Sequence, residues 1–355
     1  MNQEPQNRYF TSGSTVSLSV PDRPTAFVNW LISTYAVVIA VLVLFVLIAG
    51  MTAMLCYRQY EAAKTKALST DQMTSDLLAV FVRERGKAVR GLLQSYAGRS
   101  SFVDALSDRD HTSLRRHLAA LKKNHELDLA MVIDAEGAVL THSPPFQNMA
   151  GTDVSTQYWF KEASALGQPY TSPVILLPGE PQTPAVVVCA PVWNANNERP
   201  GFLVVMQRLE FIAEGIRELQ LADQAGVSIV DASGRIGYSN RHSYSKGLST
   251  HPYFTQASRA IGANRMQIVV RSAGKDDDLT YLSVTAVDNT AWKVIVERDQ
   301  KDIRRLVYGY FIENSIMGFL LFVSLSVFLI YLRKVFLLRR TRDLLLAEVK
   351  CRQSE

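Results

Sequence analysis

Few side chains in this sequence are candidates for catalysis or metal binding, and they are not grouped into known motifs. No pair among its six histidines shows the HExxH spacing that holds a catalytic zinc ion. The sequence has no G-x-S-x-G, GxxxxGK(S/T) or CxxC motif, so it supports neither an activated serine, nor a phosphate-binding loop, nor a redox pair. We therefore predict no catalytic residue, no metal site and no cofactor, and we interpret the histidines as surface residues.

An acidic triplet and three cysteines are the other groups that could bind a metal or react. Asp276–Asp278 lacks the spaced ligands of an EF-hand loop, so a solvated hairpin turn is expected there. Cys56, Cys189 and Cys351 lie in distant parts of the chain, which predicts no intrachain disulfide. Cys189 falls in the apolar run Val186–Ala190, so we expect this thiol to be buried rather than reactive.

The composition excludes several classes of protein. With 48% hydrophobic and 20% charged residues, the chain cannot be wholly disordered. Its 19 glycines and 13 prolines in 355 residues exclude collagen-like repeats. The net charge of +5 is spread along the chain, so nucleic acid is not expected as a partner.

Two apolar stretches near the ends of the chain predict transmembrane helices over residues 30–57 and 305–332. The first stretch, Leu31–Leu55, contains no charged residue, and the second, Leu306–Leu332, contains only Glu313. At about 1.5 Å of rise per residue, each could cross a hydrocarbon core of roughly 30 Å. A cleaved signal peptide is the alternative for the first stretch, but its apolar region would be shorter, about 7–15 residues.

The region between these stretches combines long helices with a repeated hairpin. Good helix formers without proline predict one long helix over residues 60–98, and a second helical pattern covers 104–125. A strand–turn–strand pattern over Leu127–Ser143 recurs over Val227–Asn240, and each copy contains an Asp-Ala-x-Gly turn. The recurrence indicates two units of the same kind.

The rest of each unit repeats in the same order. The segment Thr156–Ala163 is echoed by Thr250–Ala257. Each unit then closes with two strand-like runs, which are 185–192 and 201–207 in the first unit and 279–287 and 291–297 in the second. We predict an α+β fold made of two tandem units, each with a mostly antiparallel sheet.

The order of these motifs resembles the double Cache sensor domain, a PAS-like extracytoplasmic ligand-binding module of bacterial receptors. The matching segments are the hairpin Val132–Leu140, the helix start Tyr158–Ala163, the run Pro169–Ser172 and the closing strand Ala291–Glu297. The resemblance covers about residues 60–300. It implies two PAS-like units on the long N-terminal helix, a ligand in the membrane-distal unit and a homodimer joined by that helix.

The resemblance also implies where the parts of the chain lie. Basic residues flank both apolar stretches and do not decide the orientation, so the resemblance alone places the central domain in the periplasm or outside the cell. We predict a multi-pass protein of the bacterial inner membrane. Its segments are 1–29 (cytoplasmic tail), 30–57 (first membrane helix), 58–126 (sensor helices), 127–222 (membrane-distal Cache unit), 223–304 (membrane-proximal Cache unit), 305–332 (second membrane helix) and 333–355 (cytoplasmic signalling helix or linker).

A ligand pocket is implied in the membrane-distal unit, within about residues 127–210. Aromatic rings with a few hydroxyls suit a small ligand that has one apolar face and a polar end. Alternatively, Trp159 and Phe160 are only anchors of the core. The candidate ligand-binding residues are Gln157, Tyr158, Trp159, Phe160, Tyr170, Thr171, Ser172 and Cys189.

One subclass of the resembled family binds amino acids and amines through an Arg-x-Trp-Tyr motif and an Asp on the last strand of the unit. Aligned on Trp159, the Arg position holds Gln157 and the Tyr position holds Phe160, while the Asp position holds Met206. The ammonium of such a ligand would lack a counter-charge, so we predict that the ligand is neither an α-amino acid nor an amine. A carboxylate remains open, and its candidate donors are Arg208, Lys161 and His142.

The charged segment after the second membrane helix predicts a cytoplasmic output. Its apolar residues recur at heptad-like spacing, which is typical of a signalling helix. In the receptors that this chain resembles, such a helix leads into a histidine kinase, a diguanylate cyclase or a methyl-accepting domain. The sequence contains none of these domains, so we expect either an output domain after residue 355 or a partner protein, as in a two-component system. Whether the chain is part of an enzyme therefore stays open.

Together these patterns predict a transmembrane sensor that binds a small extracytoplasmic ligand and passes a signal to a cytoplasmic output. The alternative is a membrane assembly protein of the polysaccharide chain-length regulator type, which shares the layout with two membrane spans. Those proteins approach the second span through a proline-rich segment, whereas residues 301–332 contain no proline.

Overall fold

The computed structural model describes residues 34–125, 127–143, 149–177, 183–210, 212, 214, 225–241, 248–271 and 279–353. The predicted tail over 1–29, the beginning of the first apolar stretch and the triplet Asp276–Asp278 lie outside the described residues. Contacts divide the chain into two compact units. One unit is Arg58–Gly309, and the other combines the terminal segments up to Tyr57 and from Tyr310.

Three helices precede the first sheet: α1 (Thr34–Ala97), α2 (Ser100–Ser107) and α3 (His111–His125). Helix α1 continues from the apolar stretch through residues 60–97, which confirms the long first helix. The prediction of one helix over 104–125 was wrong, because Arg109 has a left-handed backbone with φ of 54° between α2 and α3. The Asp110 carboxylate then accepts the backbone N–H groups of Thr112 and Ser113 and caps α3.

The first α+β unit is a six-stranded antiparallel sheet. Its elements are β1 (Leu129–Asp134), β2 (Val139–His142), α4 (Tyr158–Leu166), β3 (Tyr170–Thr171), β4 (Ile175–Leu176), β5 (Pro184–Val192) and β6 (Gly201–Arg208). The strand order is β2-β1-β6-β5-β3, with β4 also paired to β5. All residues of β5 and β6 are buried except Arg208, so these two strands form the centre of the unit.

Each face of this sheet has its own core, because side chains alternate along a strand. One face packs against α1, α2 and α3, and its core includes Leu93, Phe102 and Leu118. The other face packs against α4, with Trp159 and Phe160 in its core. The predicted ligand residues Trp159, Phe160 and Cys189 therefore belong to the face that α4 covers.

The second unit is a five-stranded antiparallel sheet with order β8-β7-β11-β10-β9. Its elements are β7 (Gly226–Val230), β8 (Ile236–Ser239), α5 (Phe254–Gly262), β9 (Gln267–Arg271), β10 (Leu279–Ala286) and β11 (Lys293–Asp299). One face packs on α1 around Leu78, and α5 covers the other face. Two antiparallel sheets along one first helix confirm the predicted α+β fold class.

The repeated Asp-Ala-x-Gly turns have the same local structure in both units. The Asp134 carboxylate accepts the backbone N–H groups of Gly137 and Ala138 at 2.9 and 2.7 Å. Asp231 occupies the equivalent position and accepts backbone N–H groups of its own turn. Gly137 and Gly234 have φ of 107° and 82°, a conformation that strains any side chain with a Cβ. The repeated motif in the sequence therefore forms the same hydrogen-bonded turn in both units.

The last strand runs directly into the last helix, α6 (Gln300–Gln353). Helices α1 and α6 are both long and apolar enough to cross a membrane. Large apolar side chains such as Leu47 and Phe319 are 64% and 66% exposed, as lipid-facing residues would be. In the terminal unit the rings of Phe45 and Phe322 lie 5.4 Å apart, and Gly318 lies against Thr52.

Candidate ligand-binding site

Helix α4 places two aromatic rings on the sheet of the first unit. Gln157 is the N-cap residue with an extended backbone, and its side chain makes no capping hydrogen bond. Trp159 and Phe160 are 4% and 6% exposed. The Phe160 ring lies 5.2 Å from the ring of Phe202 on β6, in an edge-to-face arrangement that favours both rings. Both rings are thus buried between α4 and the sheet.

Strands β5 and β6 complete this face with uncharged side chains. Cys189 and Met206 are 0% and 4% exposed and share the core with Trp159. Burial raises the pKa of the Cys189 thiol, so the nucleophilic thiolate is disfavoured. The expected burial of Cys189 is confirmed.

Cys189 is expected to resist thiol reagents until the sheet opens. In a Cys56→Ser, Cys351→Ser background it is the single thiol. We expect maleimide to label it at least about 100-fold more slowly in the native chain than in urea, because labelling requires opening of the core. Ala195→Cys, in the exposed turn between β5 and β6, provides the fast-labelling control in a Cys189→Ser version of that background. Equal labelling rates at the two positions in the native chain would contradict the burial of Cys189.

Ser172 has a structural role in the strand region. Its hydroxyl donates to the Pro173 carbonyl at 2.7 Å and accepts the Val187 N–H at 2.9 Å. Ser172 is 1% exposed, so these contacts join the β3–β4 connection to β5 inside the protein. Its only hydroxyl proton is already used.

Tyr158 and Thr171 are not part of the core under α4, whereas the partly buried Tyr170 packs against it. Tyr158 is 59% exposed, in contrast to the neighbouring Trp159. All three residues line a cavity of about 520 Å³, which also includes Arg90 of α1. The eight predicted residues are therefore not brought together in one place: Trp159, Phe160 and Cys189 share a core, and these three share a cavity.

The candidate donors for a carboxylate differ in their surroundings. Arg208 donates from Nε to Asp128 at 2.7 Å and lies 3.5 Å from Glu210, so its charge is already balanced. The hydrogen bond with Asp128 raises the pKa of Arg208. Lys161 is exposed, and the His142 ring lies 3.2 Å from the Ser143 carbonyl. None of the three is fixed on the face that α4 covers.

Two residues that make polar contacts in the structure were not identified as such from the sequence. Arg90 was hidden in the helical pattern of residues 60–98, although it lines the cavity of Tyr158. His251 was interpreted as a surface residue, but it is 2% exposed and lies 2.8 Å from Glu297. This interpretation was wrong because the partner of His251 lies 46 positions away on β11. In the part of the chain that the structure describes, no three His, Cys, Asp or Glu residues are grouped to hold a metal ion.

Comparison with known proteins identifies the fold. A family model described as Cache domain (dCache_1) matches residues 53–307. The ligand-binding domain of the Campylobacter jejuni chemoreceptor Tlp3, in complex with 4-methylisoleucine, is similar over 69% of this chain and 93% of that chain, with 12% identity and a TM-score of 0.54. The sensor domain of the V. cholerae histidine kinase DctB is similar over 68% and 99%, with 16% identity and a TM-score of 0.53. No curated protein matches the sequence.

The matched residues include both sheets and the part of α1 on which they pack. They make up more than half of the chain, and the solved sensor domains share their arrangement. The chain therefore belongs to the Cache domain family.

Proposed function

We propose that this protein is a transmembrane sensor of the bacterial inner membrane, which binds a small ligand outside the cytoplasm and passes a signal inward. The continuity of the backbone is the observation that supports this most. Helix α1 contains the first apolar stretch and carries both sheets, and β11 leads without a break into α6, which contains the second. A movement in either sheet can therefore reach a membrane helix through the backbone.

The proposed ligand site is the face of the membrane-distal sheet under α4, around Trp159, Phe160 and Cys189. Both rings are packed on the sheet, so a ligand that contacts them must displace part of α4. Ligand binding would then be coupled to a movement of α4. Such a movement changes signalling only if the ligand prefers one of the two arrangements.

The proposed ligand is neutral or anionic. The relative Tlp3 is complexed with 4-methylisoleucine, but at 12% identity this likeness does not transfer the ligand. Gln157 and Met206 stand where the amino-acid-binding pattern has Arg and Asp, so the position that would pair with an ammonium group holds no acid. Hydrogen bonds from Gln157 would suit a carboxylate or a neutral polar group.

The signal would leave through the charged end of α6 in a homodimer. Leu338, Leu345 and Val349 are 61%, 63% and 53% exposed in the single chain. Their heptad-like spacing allows a second copy of α6 to bury them. A kinase or cyclase output, in the same polypeptide or in a partner of a two-component system, would respond to a change in this helix pair.

A thermal-shift screen of the full chain in nanodiscs tests the proposal. The library holds carboxylates, α-amino acids, amines, purines and sugars. We expect stabilisation by a neutral or anionic compound, worth about 2.7 kcal/mol at 100 times its Kd. Trp159→Ala should abolish that shift, because it removes a ring of the site.

The matched control is Leu118→Ala, which opens a cavity on the opposite face of the same sheet. This variant should lower the melting temperature but keep the shift caused by the ligand. Stabilisation by α-amino acids or amines alone would contradict the proposed ligand class. If no compound of any class stabilises the folded chain, the proposal of a small-molecule sensor is not supported.

A further inference from the structure

The cavity beside Tyr158 lies where α1 and both sheets meet, and we name it the junction cavity. Its volume of about 520 Å³ is within the range of small-molecule sites. Helix α1 contributes Arg90 to its wall. The first unit contributes Tyr158, Tyr170 and Thr171, and the second contributes Ala232 and Trp292. A molecule bound here would contact all three parts of the sensor.

Arg90 brings an unbalanced positive charge to the junction cavity. Its guanidinium is half-buried and donates to the Thr171 hydroxyl at 3.2 Å. Among the residues that the structure describes, no carboxylate lies within 4.0 Å of this guanidinium. By contrast Arg83, two helical turns earlier on α1, pairs with Glu84 at 2.9 Å and Asp288 at 2.6 Å. Four of the five N–H groups of Arg90 are thus available to a ligand.

The acidic residues near the junction cavity do not form an ion pair with Arg90. Asp231 is fully buried and accepts backbone N–H groups from Val174, Ser233 and Arg235. Asp288 is held by Arg83. Glu162 is near enough to raise the pKa of Tyr170, but among the described residues it does not come within 4.0 Å of the Arg90 guanidinium. The positive charge of Arg90 is therefore available to an anion bound in the junction cavity.

Two tyrosine hydroxyls add polar groups beside Arg90. Tyr158 and Tyr170 both line the junction cavity. Burial, followed by the effects of Tyr158 and Glu162, raises the pKa of Tyr170 to about 12. Tyr170 therefore stays protonated at neutral pH and retains a proton to donate.

We propose that the junction cavity binds a small organic carboxylate, at a site separate from the face under α4. Arg90 pairs with the carboxylate, and a tyrosine hydroxyl gives a second hydrogen bond. The largely buried ring of Trp292 supplies an apolar wall for the organic part of the ligand. Because its walls come from α1 and from both units, occupancy favours one placement of the two sheets on the helix.

Calorimetry with the full chain in nanodiscs tests this site, with acetate, succinate and benzoate as probes. We expect saturable binding of at least one carboxylate and about 10-fold or weaker binding of its neutral amide. Arg90→Met should weaken that binding about 10- to 100-fold, as expected for the loss of a charge-assisted contact. Ala232→Phe, which places a ring in the cavity without replacing Arg90, should also weaken it.

Two control variants show whether a carboxylate binds in the junction cavity or elsewhere on the chain. Arg83→Met removes an arginine of the same helix that is already paired, and it should leave carboxylate binding unchanged. Trp159→Ala should also leave it unchanged, so failure of the site under α4 would not affect this result. The proposal is overturned if no probe binds saturably, if amide and carboxylate bind equally, or if Arg90→Met binds like the unmodified chain while its melting temperature is retained.

Discussion

Replacement of Asp71 by alanine should lower the free energy of unfolding of the sensor by about 3–5 kcal/mol. The Asp71 carboxylate on α1 accepts two hydrogen bonds from Arg298 on β11, at 2.7 Å from Nε and 2.6 Å from Nη2. The two side chains are only 4% and 7% exposed, so the alanine variant leaves a guanidinium buried without this carboxylate. The hydrogen bond with Asp71 is also the main reason why the pKa of Arg298 is raised.

Urea unfolding of the full chain, followed by tryptophan fluorescence, measures this effect. Asp76→Ala is the matched control, because Asp76 is an exposed carboxylate on the same helix that contacts Thr285 of β10 at 2.7 Å. It should cost about 1 kcal/mol. The double variant Asp71→Leu, Arg298→Met should recover most of the loss, since no charge then remains buried. A cost below about 1 kcal/mol for Asp71→Ala would contradict a buried ion pair.

This ion pair also joins the first helix of the Cache domain to its last strand. Helix α1 contains the first apolar stretch, and β11 leads into the helix that contains the second. The Ser75 hydroxyl adds a contact to Thr285 at 2.8 Å, and Gln300 reaches the Tyr60 hydroxyl at 3.4 Å. The beginning and the end of the sensor are thus joined by polar contacts.

The parts of the fold that depend on local chemistry could be predicted from the sequence. The Asp-Ala-x-Gly turns are fixed by contacts within four residues, and glycines at positive φ follow directly from that geometry. The strand-like runs over 185–192 and 201–207 are strands in the structure, because apolar residues favour buried strands. The cap at Asp110 could also have been predicted, since Asp is a favoured N-cap residue at a helix start. It was missed because the apolar pattern over 104–125 suggested one helix.

The candidate site was only partly predictable, because its contacts join distant residues. A helical segment places Tyr158 and Trp159 on different sides, but the sequence does not show which side faces the sheet. Arg90 meets Thr171 across 81 positions, and Arg298 meets Asp71 across 227. No local pattern encodes such pairs, so a single sequence identified the aromatic residues and left their partners unknown.

Replacement of His251 by alanine should cost about 3 kcal/mol of the free energy of unfolding. The Tyr253 N–H donates to Nδ1 of His251 at 3.2 Å, so the ring proton belongs on Nε2, which lies 2.8 Å from Glu297. Both side chains are buried, and the Arg241 guanidinium lies 3.9 Å from the other oxygen of Glu297. The alanine variant removes a donor from a buried carboxylate and opens a cavity beside it.

Glu297→Gln tells whether hydrogen bonding or charge pairing holds His251 in place. A glutamine oxygen can still accept the Nε2 proton, so we expect this variant to cost only about 1 kcal/mol. His111→Ala, at the exposed start of α3, should change stability by less than about 0.5 kcal/mol. If Glu297→Gln costs as much as His251→Ala, the histidine is held as a cation, and the tautomer inferred from the Tyr253 contact is wrong. If neither variant matters, β11 does not depend on this pair, and its pairing with β7 and β10 together with the ion pair at Arg298 holds the strand.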